Sequence, residues 1–261
     1  MYKEIIFTIE NNIGFITFNR PKYGNAFAEA SYGEIIDALK NCSENNSVRA
    51  VVVTGKGKNF SAGGNILDFK DYIDNNVPLP EDLIVMAGNM TKAVRECQKP
   101  VVAMINGAAA GAGLSFALAC DFRVATDKSK FITAFIDLGF PGDSGLIYFM
   151  KSYIGLAKTT ELLMTSKPLS GTEAYELGLC NILTTEETLK EETLKLANML
   201  AAKPTKAISL QKKLINEFFY KNLSEFNKKE AEYMAQSSLT KDHKEAVNAF
   251  LEKRKPIFKG K

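Results

Sequence analysis

The stretch that most limits what this chain can become is PVVAMINGAAAGAGLSFALACD, from Pro100 to Asp121. No charge falls between Pro100 and Cys120. Val101 to Ile105 is a short apolar run of β type, and Asn106-Gly107 is a turn signal because both residues tolerate positive φ. Ala108 to Gly113 carries nothing larger than a methyl, and an apolar helical run from Leu114 to Ala119 stops near Asp121. The pattern predicts a buried strand, a tight small-residue turn and a helix. Backbone amides at such a helix start have no intrahelical partner and stand at the positive end of the dipole. Small side chains let a ligand oxygen reach them, which suits a bound anion or a developing oxyanion. Close packing of the helix, with no ligand, is the other reading of the same glycines. A membrane span does not fit. Pro100, the Asn106-Gly107 turn, Gly111 and Gly113 break the run, and its helical part falls short of the roughly 20 residues a span needs.

Such a buried strand needs a large core around it. A chain of 261 residues, 46% apolar and 24% charged, supplies one as a soluble globular protein. Its net charge of +3, with basic residues scattered apart from Lys253-Arg254-Lys255, does not point to nucleic acid. Cys42, Cys97, Cys120 and Cys180 show no CxxC and no paired spacing, so they read as reduced thiols of a cytoplasmic protein. MYKEIIFTIE at the N-terminus is not a signal peptide. One histidine and no cluster with cysteines or carboxylates leave a metal site without ligands.

Along the chain, residues 4–9 and 13–18 alternate as the strands of a hairpin. An amphipathic helix is expected from Glu29 to Asn45, a strand from Arg49 to Thr54, and a loop from Gly55 to Gly64. Helical spacing returns from Asn65 to Tyr72 and from Glu81 to Gln98, the latter with acidic residues at its start as the dipole favours. After the central stretch, Phe122 to Thr126 and a shorter piece near Phe131 read as strands, and Phe135 to Gly145 as a glycine-bearing loop. Helices are expected from there on, one of them opening with a capping box at Ser170 and Glu173. Strands alternate with helices up to about Ile182, so the class is α/β with parallel elements. After about Thr185 everything reads as helical, with apolar faces that give a motive for self-association.

Several pieces together resemble the enoyl-CoA hydratase/isomerase (crotonase) superfamily. They are Asn19-Arg20-Pro21 with Asn25-Ala26, FSAGGN from Phe60 to Asn65, Lys99 to Asp121, and FLEKRKP from Phe250 to Pro256. Their order and spacing cover nearly the whole chain. The resemblance implies a crotonase-type spiral of ββα turns over residues 1–195 and a helical oligomerisation region over 196–261, assembling as a homotrimer or a dimer of trimers. It implies an acyl-CoA thioester as substrate, with coenzyme A entering as part of it and no separate cofactor. It also implies two backbone amides that hold the thioester oxygen, which fall on Gly64 and Ala112. Ala26, Ala62, Asn65, Ile66, Ser115 and Phe135 fall among the substrate-binding positions.

The chain departs from the family's hydratases. The two glutamates that handle water there fall on Ser115 and Phe135 here, and neither can be a carboxylate base. Asp143, four residues after Gly139, resembles the acid of the family's enoyl-CoA isomerases, with the proline displaced by one position. A helix cap near Leu146 is its structural alternative, and Asp137 its competitor in the same loop. Phe135, Ile136, Leu138 and Phe140 are expected to give Asp143 an apolar setting. His243, at a helix start, reads as a surface residue. Lys255 and Lys261 are candidates to meet CoA phosphates. The sequence therefore reads as an enoyl-CoA isomerase with catalytic Asp143, Gly64 and Ala112. A hydratase with unusual groups, and a weakly catalytic CoA-thioester- or RNA-binding protein, are the alternatives.

Overall fold

The computed structural model describes residues 2–261. A hairpin opens it. Strands β1 (Ile5–Glu10) and β2 (Ile13–Phe18) pair antiparallel across Asn11 and Asn12, both left-handed at φ 50° and 65°, a conformation asparagine accepts. There follow α1 (Glu29–Glu44), β3 (Ala50–Gly55), α2 (Ile66–Asp74), α3 (Glu81–Glu96), β4 (Val101–Ile105), β5 (Ala108–Ala110) and α4 (Ala112–Ala119). Next come β6 (Phe122–Thr126), β7 (Lys130–Ile132), α5 (Leu146–Thr165), β8 (Leu169–Ser170), α6 (Gly171–Glu176) and β9 (Ile182–Thr184). Helices α7 (Leu189–Ala201), α8 (Thr205–Phe219), α9 (Leu223–Ser238) and α10 (Lys241–Leu251) complete the chain.

The strands form two sheets, a large one in the order β1-β2-β3-β4-β6-β9 and a small one in the order β5-β7-β8. Beyond the hairpin the large sheet is parallel. One pattern repeats: a strand in the large sheet, an extended piece in the small layer, then a helix. β4, β5 and α4 make one such turn, and β6, β7 and α5 the next. The parallel bridges Phe27–Gly64 and Ser61–Ala109 carry the small layer back into the preceding turns. This is the ββα spiral, repeated in geometry although not in residue identity.

Both faces of the large sheet are covered, which explains its unalternating apolar strands. Val51 and Val53 of β3 face the core built with α1, α3 and α4, where Leu39, Met90 and Phe116 are fully buried. Val52, Val102 and Val124 face the other way, against Leu189, Leu196 and Leu200 of α7. Helix α7 runs unbroken through position 195 and packs on this sheet, so the helices that stand clear of the sheet begin only with α8.

Four features differ from the sequence reading. Ala108–Ala110 is a strand rather than part of the turn, because its partners Ser61 and Lys130–Ile132 are distant in sequence. Helix α4 starts at Ala112, two residues before the apolar run. The short strands β8 and β9 occupy stretches that read as helical; each is held by one neighbour, β7 or β6. After α10 the chain is not helical but folds back. Asp242 accepts from Lys259 N at 2.7 Å and Gly260 N at 2.6 Å, and Glu245 pairs with Arg254 at 2.5 Å. The Ser170 capping box forms as expected, with Glu173 N donating to Ser170 Oγ at 3.1 Å and Ser170 N to Glu173 Oε2 at 2.8 Å. All four cysteines are free and buried. Among the described residues no helix is long and apolar enough to cross a membrane.

One carboxylate ties the central stretch to the helices. Asp121 accepts from Val101 N at 2.8 Å, from Arg95 Nη1 at 3.1 Å and from Lys212 Nζ at 2.7 Å. Lys212 spends its remaining protons on the carbonyls of Val94 (3.2 Å) and Lys99 (3.1 Å). Both cations are buried, so removing their common partner leaves them uncompensated. Asp121→Ala is expected to cost about 3–5 kcal/mol, read from the midpoint of urea unfolding; a loss below about 1 kcal/mol, as at exposed pairs, would show that water reaches both cations.

Candidate active site

Two loops converge where the small layer meets α4. In the first, Asn25 is left-handed (φ 59°) and donates its side-chain amide to Lys56 O at 3.0 Å and Asn59 O at 2.8 Å. Its carbonyl accepts Ser61 Oγ at 2.8 Å, and Ala62 N donates to Gly24 O at 3.0 Å. Phe27 N binds Gly63 O at 2.7 Å and Asn65 N binds Phe27 O at 3.2 Å. This parallel bridge uses groups on either side of Gly64 and leaves the Gly64 N–H turned away from Phe27. In the second loop Gly111 takes φ 50° and ψ −125°, which suits glycine. Its N–H binds Ile132 O at 3.0 Å. Ala112 is then the first helical residue, whose N–H has no intrahelical acceptor.

The loops touch through backbone. A Cβ added to Gly63 would stand 2.7 Å from Ala110 O and 3.3 Å from Ala112 N, and one added to Gly113 2.6 Å from Ser61 O. The glycines therefore serve close packing, and that packing brings the segment before Gly64 against the start of α4. Of the two readings of the small residues, close packing is the one this contact shows.

Gly64 and Ala112 line a cavity of about 570 Å³, within the roughly 300–1,000 Å³ of small-molecule sites. Ala26, Ala62, Asn65, Ile66, Phe135 and Asp143 line it as well. Asn65 stands at the N-terminal boundary of α2, and its side-chain amide donates to Asp68 Oδ1 at 2.7 Å rather than capping the helix backbone. Phe135 spreads its ring over Gly111 and Gly142, within 3.7 Å and 3.9 Å of where their Cβ atoms would lie. Ser115 is not in the lining. It is fully buried, and its hydroxyl lies 3.2 Å from both Gly111 O and Asp143 O, so it ties α4 to the Asp143 loop rather than meeting a ligand.

Asp143 is 8% exposed, and its Oδ1 has no hydrogen-bond partner among the described residues. Burial pushes its carboxyl up to about 6. It does not cap α5. Gly145 is the N-cap, and only the Asp143 backbone oxygen takes part, accepting Leu146 N at 3.2 Å. Asp137 also borders the cavity but is exposed. Of the apolar residues expected around Asp143, Phe135, Leu138 and Phe140 line the cavity, whereas Ile136 points outward at 43% exposure.

His243 is not a surface residue. It is 1% exposed, lies against Phe140 with ring centroids 4.1 Å apart, and donates Nδ1–H to Leu138 O at 2.7 Å. Burial holds its pKa below the usual value, so the neutral imidazole anchors the cavity loop to α10. Sequence reasoning also missed Tyr32 of α1, whose phenol is raised by burial and by the charges of Asp143 and Asp68. It missed Leu79, Ile84 and Met234 too, which build the apolar wall. Helical spacing marks Ile84 and Met234 only as core, and Leu79 lies in the link between α2 and α3. Phe250 and Leu251 bring the end of α10 to the same cavity. Among the described residues no group of three or more His, Cys, Asp or Glu is placed to hold a metal ion.

A family model described as enoyl-CoA hydratase/isomerase matches residues 8–261. The trans-2-decenoyl-[acyl-carrier-protein] isomerase of Streptococcus mutans is 30% identical over 261 residues, covering 100% of this chain and 99% of that one. A probable enoyl-CoA hydratase of Bacillus subtilis is 33% identical over 263 residues, covering 98% of each. The crystal structure of an enoyl-CoA hydratase from Mycobacterium avium subsp. paratuberculosis superposes with a TM-score of 0.91 at 25% identity, over 99% of this chain and 100% of that one. Names at this level of identity include isomerases and hydratases alike.

The raised Asp143 carboxyl carries a stability signature. A raised acid favours the neutral form in the fold. Its stabilising contribution is full below the ordinary carboxylate range and is lost as pH rises through about 6. Asp143→Asn is therefore expected to be near neutral at about pH 3.5 and to gain on the order of 2–3 kcal/mol at about pH 7.5. Thermal unfolding at both pH values checks this; a loss of stability at the higher pH would make Asp143 a structural group.

Proposed function

We propose that this chain, which belongs to the enoyl-CoA hydratase/isomerase family, shifts the double bond of an enoyl thioester, with Asp143 carrying the proton. One observation supports this above the rest. Asp143 is the buried carboxyl of a largely apolar cavity, has an unpartnered oxygen, and has no second carboxyl at Ser115 or Phe135. Hydration needs groups that activate water and protonate carbon. A double-bond shift needs one base that can give back what it takes.

In this reading the thioester oxygen accepts from Gly64 N–H and Ala112 N–H. Asp143 takes a proton from C2 of a 3-enoyl thioester. The electron pair passes through the C2–C1 bond onto the oxygen, and the two amides stabilise that enolate. As the charge returns, C4 takes the proton from Asp143 and the double bond settles between C2 and C3. No water enters the balance, and the Phe135 ring helps to keep it out. The wall of Leu79, Ile84 and Met234 suits an apolar acyl tail, and Ala26, Ala62 and Ile66 flank the thioester end. No resident cofactor takes part. The exposed Leu210, Leu214 and Phe218 of α8 support self-association of the kind the family resemblance implies. The rival reading, a hydratase, draws its support from relatives such as the Bacillus subtilis protein.

Asp143→Asn is expected to keep acyl-CoA binding and to lower turnover of a 3-enoyl-CoA about 100- to 10,000-fold. The wild-type rate should itself fall below about pH 6, where the base is protonated. Ala112→Pro removes one amide at a helix position that accepts proline and is expected to cost roughly 100- to 1,000-fold in kcat. Crotonyl-CoA hydration at ordinary enzyme rates, roughly 1–1,000 per second, would overturn the isomerase reading in favour of its rival.

A further inference from the structure

The Asp143 loop is bent in a way it does not hold alone. Gly142, Ser144 and Gly145 have φ of 131°, 57° and 75°, and a left-handed serine persists only where its surroundings fix it. Ser115 Oγ and Leu146 N reach the Asp143 carbonyl. On the N–H side the grip comes from a distant helix. Gly145 N donates to Glu230 Oε2 at 2.8 Å, across 85 residues of sequence.

Glu230 lies on the buried stripe of α9 with Leu223, Asn227, Ala231 and Met234. Asn227 fastens the helix to α3, donating to Gly88 O at 3.0 Å and filling the space where Gly88 has no side chain. Leu223 presses on Gly145 from the same stripe, 2.9 Å from where a Cβ would be. Met234, one turn beyond Glu230, lines the cavity. Glu230 is 6% exposed, and among the described residues no Lys, Arg or His pairs with it. Its Oε1 is buried without a partner.

We propose that Glu230 is a positioning residue for the reaction: as a neutral acid it holds the Gly145 N–H, locks the Ser144-Gly145 turn, and so fixes the direction of the Asp143 carboxyl in the cavity. This rests on Asp143 being the proton carrier. Neutrality follows from the surroundings. Burial without a cation disfavours the carboxylate and outweighs the downward pull of the Gly145 N–H bond, and the Asp143 charge adds to the rise, leaving Glu230 at about 8. Asp143 is the charged group that acts on it; none on α3 or α10 does. With one acid kept neutral, the negative charge is confined to the carboxyl that faces the substrate.

Two substitutions test this on a 3-enoyl-CoA, with Asp143→Asn run beside them. Glu230→Met keeps the bulk and removes the hydrogen bond; Glu230→Gln keeps an acceptor for Gly145 N and cannot ionise. Near neutral pH, Glu230→Met is expected to lower kcat about 10- to 100-fold with KM changed less than about twofold, as misplacement of a reacting group does. Glu230→Gln should recover most of that loss. From about pH 7 to about pH 9 the wild-type kcat should fall as Glu230 ionises, and that of Glu230→Gln should stay level. If Glu230→Met only melted earlier, with normal kcat per folded molecule, Glu230 would be a structural tie and the proposal wrong. If Glu230→Gln fell as far as Glu230→Met, a charged carboxylate would be required and the neutral acid refuted. If Glu230→Met does not fold, the alkaline profiles of wild type and Glu230→Gln decide; identical profiles refute the proposal. Normal turnover by Asp143→Asn would instead remove the reading on which it rests.

Discussion

Everything at this site depends on two backbone segments meeting where no side chain fits. Gly63 lies on the Ala110 carbonyl and Gly113 on that of Ser61, at distances a Cβ would reduce to 2.7 and 2.6 Å. That contact is what allows the Ser61–Ala109 bridge, and the bridge joins the small layer of one turn of the spiral to the next. Because the layer is continuous, Gly64 and Ala112 come from different turns yet line one cavity. A single methyl at either glycine would separate the segments and the amides together. Fold and site share one steric condition here.

Two buried carboxyl groups and a half-buried one then divide the work by what surrounds them. Asp121 meets two cations and a backbone N–H, and holds α8 to the centre of the fold. Glu230 has one N–H and no cation. Asp143 borders a cavity with an apolar wall, and its Oδ1 is buried with no partner among the described residues. Two cations and a backbone N–H hold the Asp121 side chain in place, whereas burial without a cation raises the pKa of Asp143 and Glu230 towards neutrality. The C-terminal helices also reach the candidate site. Through Glu230 and His243 they grip the Asp143 loop at both ends.

Much of this was legible in the residues. The β4–turn–α4 stretch announced itself by composition, because a parallel strand covered on both faces must be apolar throughout and a backbone contact must be small. Asp143 was singled out by the family resemblance, with Asp137 as a competitor in the same loop. What stayed hidden depended on partners remote in sequence. Ala108–Ala110 is a strand only because Ser61 and Phe131 lie beside it. Ser115 looked like a ligand-facing residue, and only the fold shows its hydroxyl bound to the Asp143 carbonyl. His243 and Glu230 sit in charged helical segments that read as solvated; a polar residue on the inner stripe of a helix was the available signal, and at Glu230 it falls between Asn227 and Met234.

The most direct test of the proton-carrier account follows the hydrogen itself. A 3-enoyl-CoA carrying deuterium at C2 is isomerised in ordinary water, and the 2-enoyl product is analysed at C4. If Asp143 takes the C2 hydrogen and returns it in a cavity that excludes water, deuterium appears at C4 in the wild-type product, and Asp143→Asn yields almost no product. A product whose C4 hydrogen comes wholly from solvent, formed as fast by Asp143→Asn as by the wild type, would contradict the account.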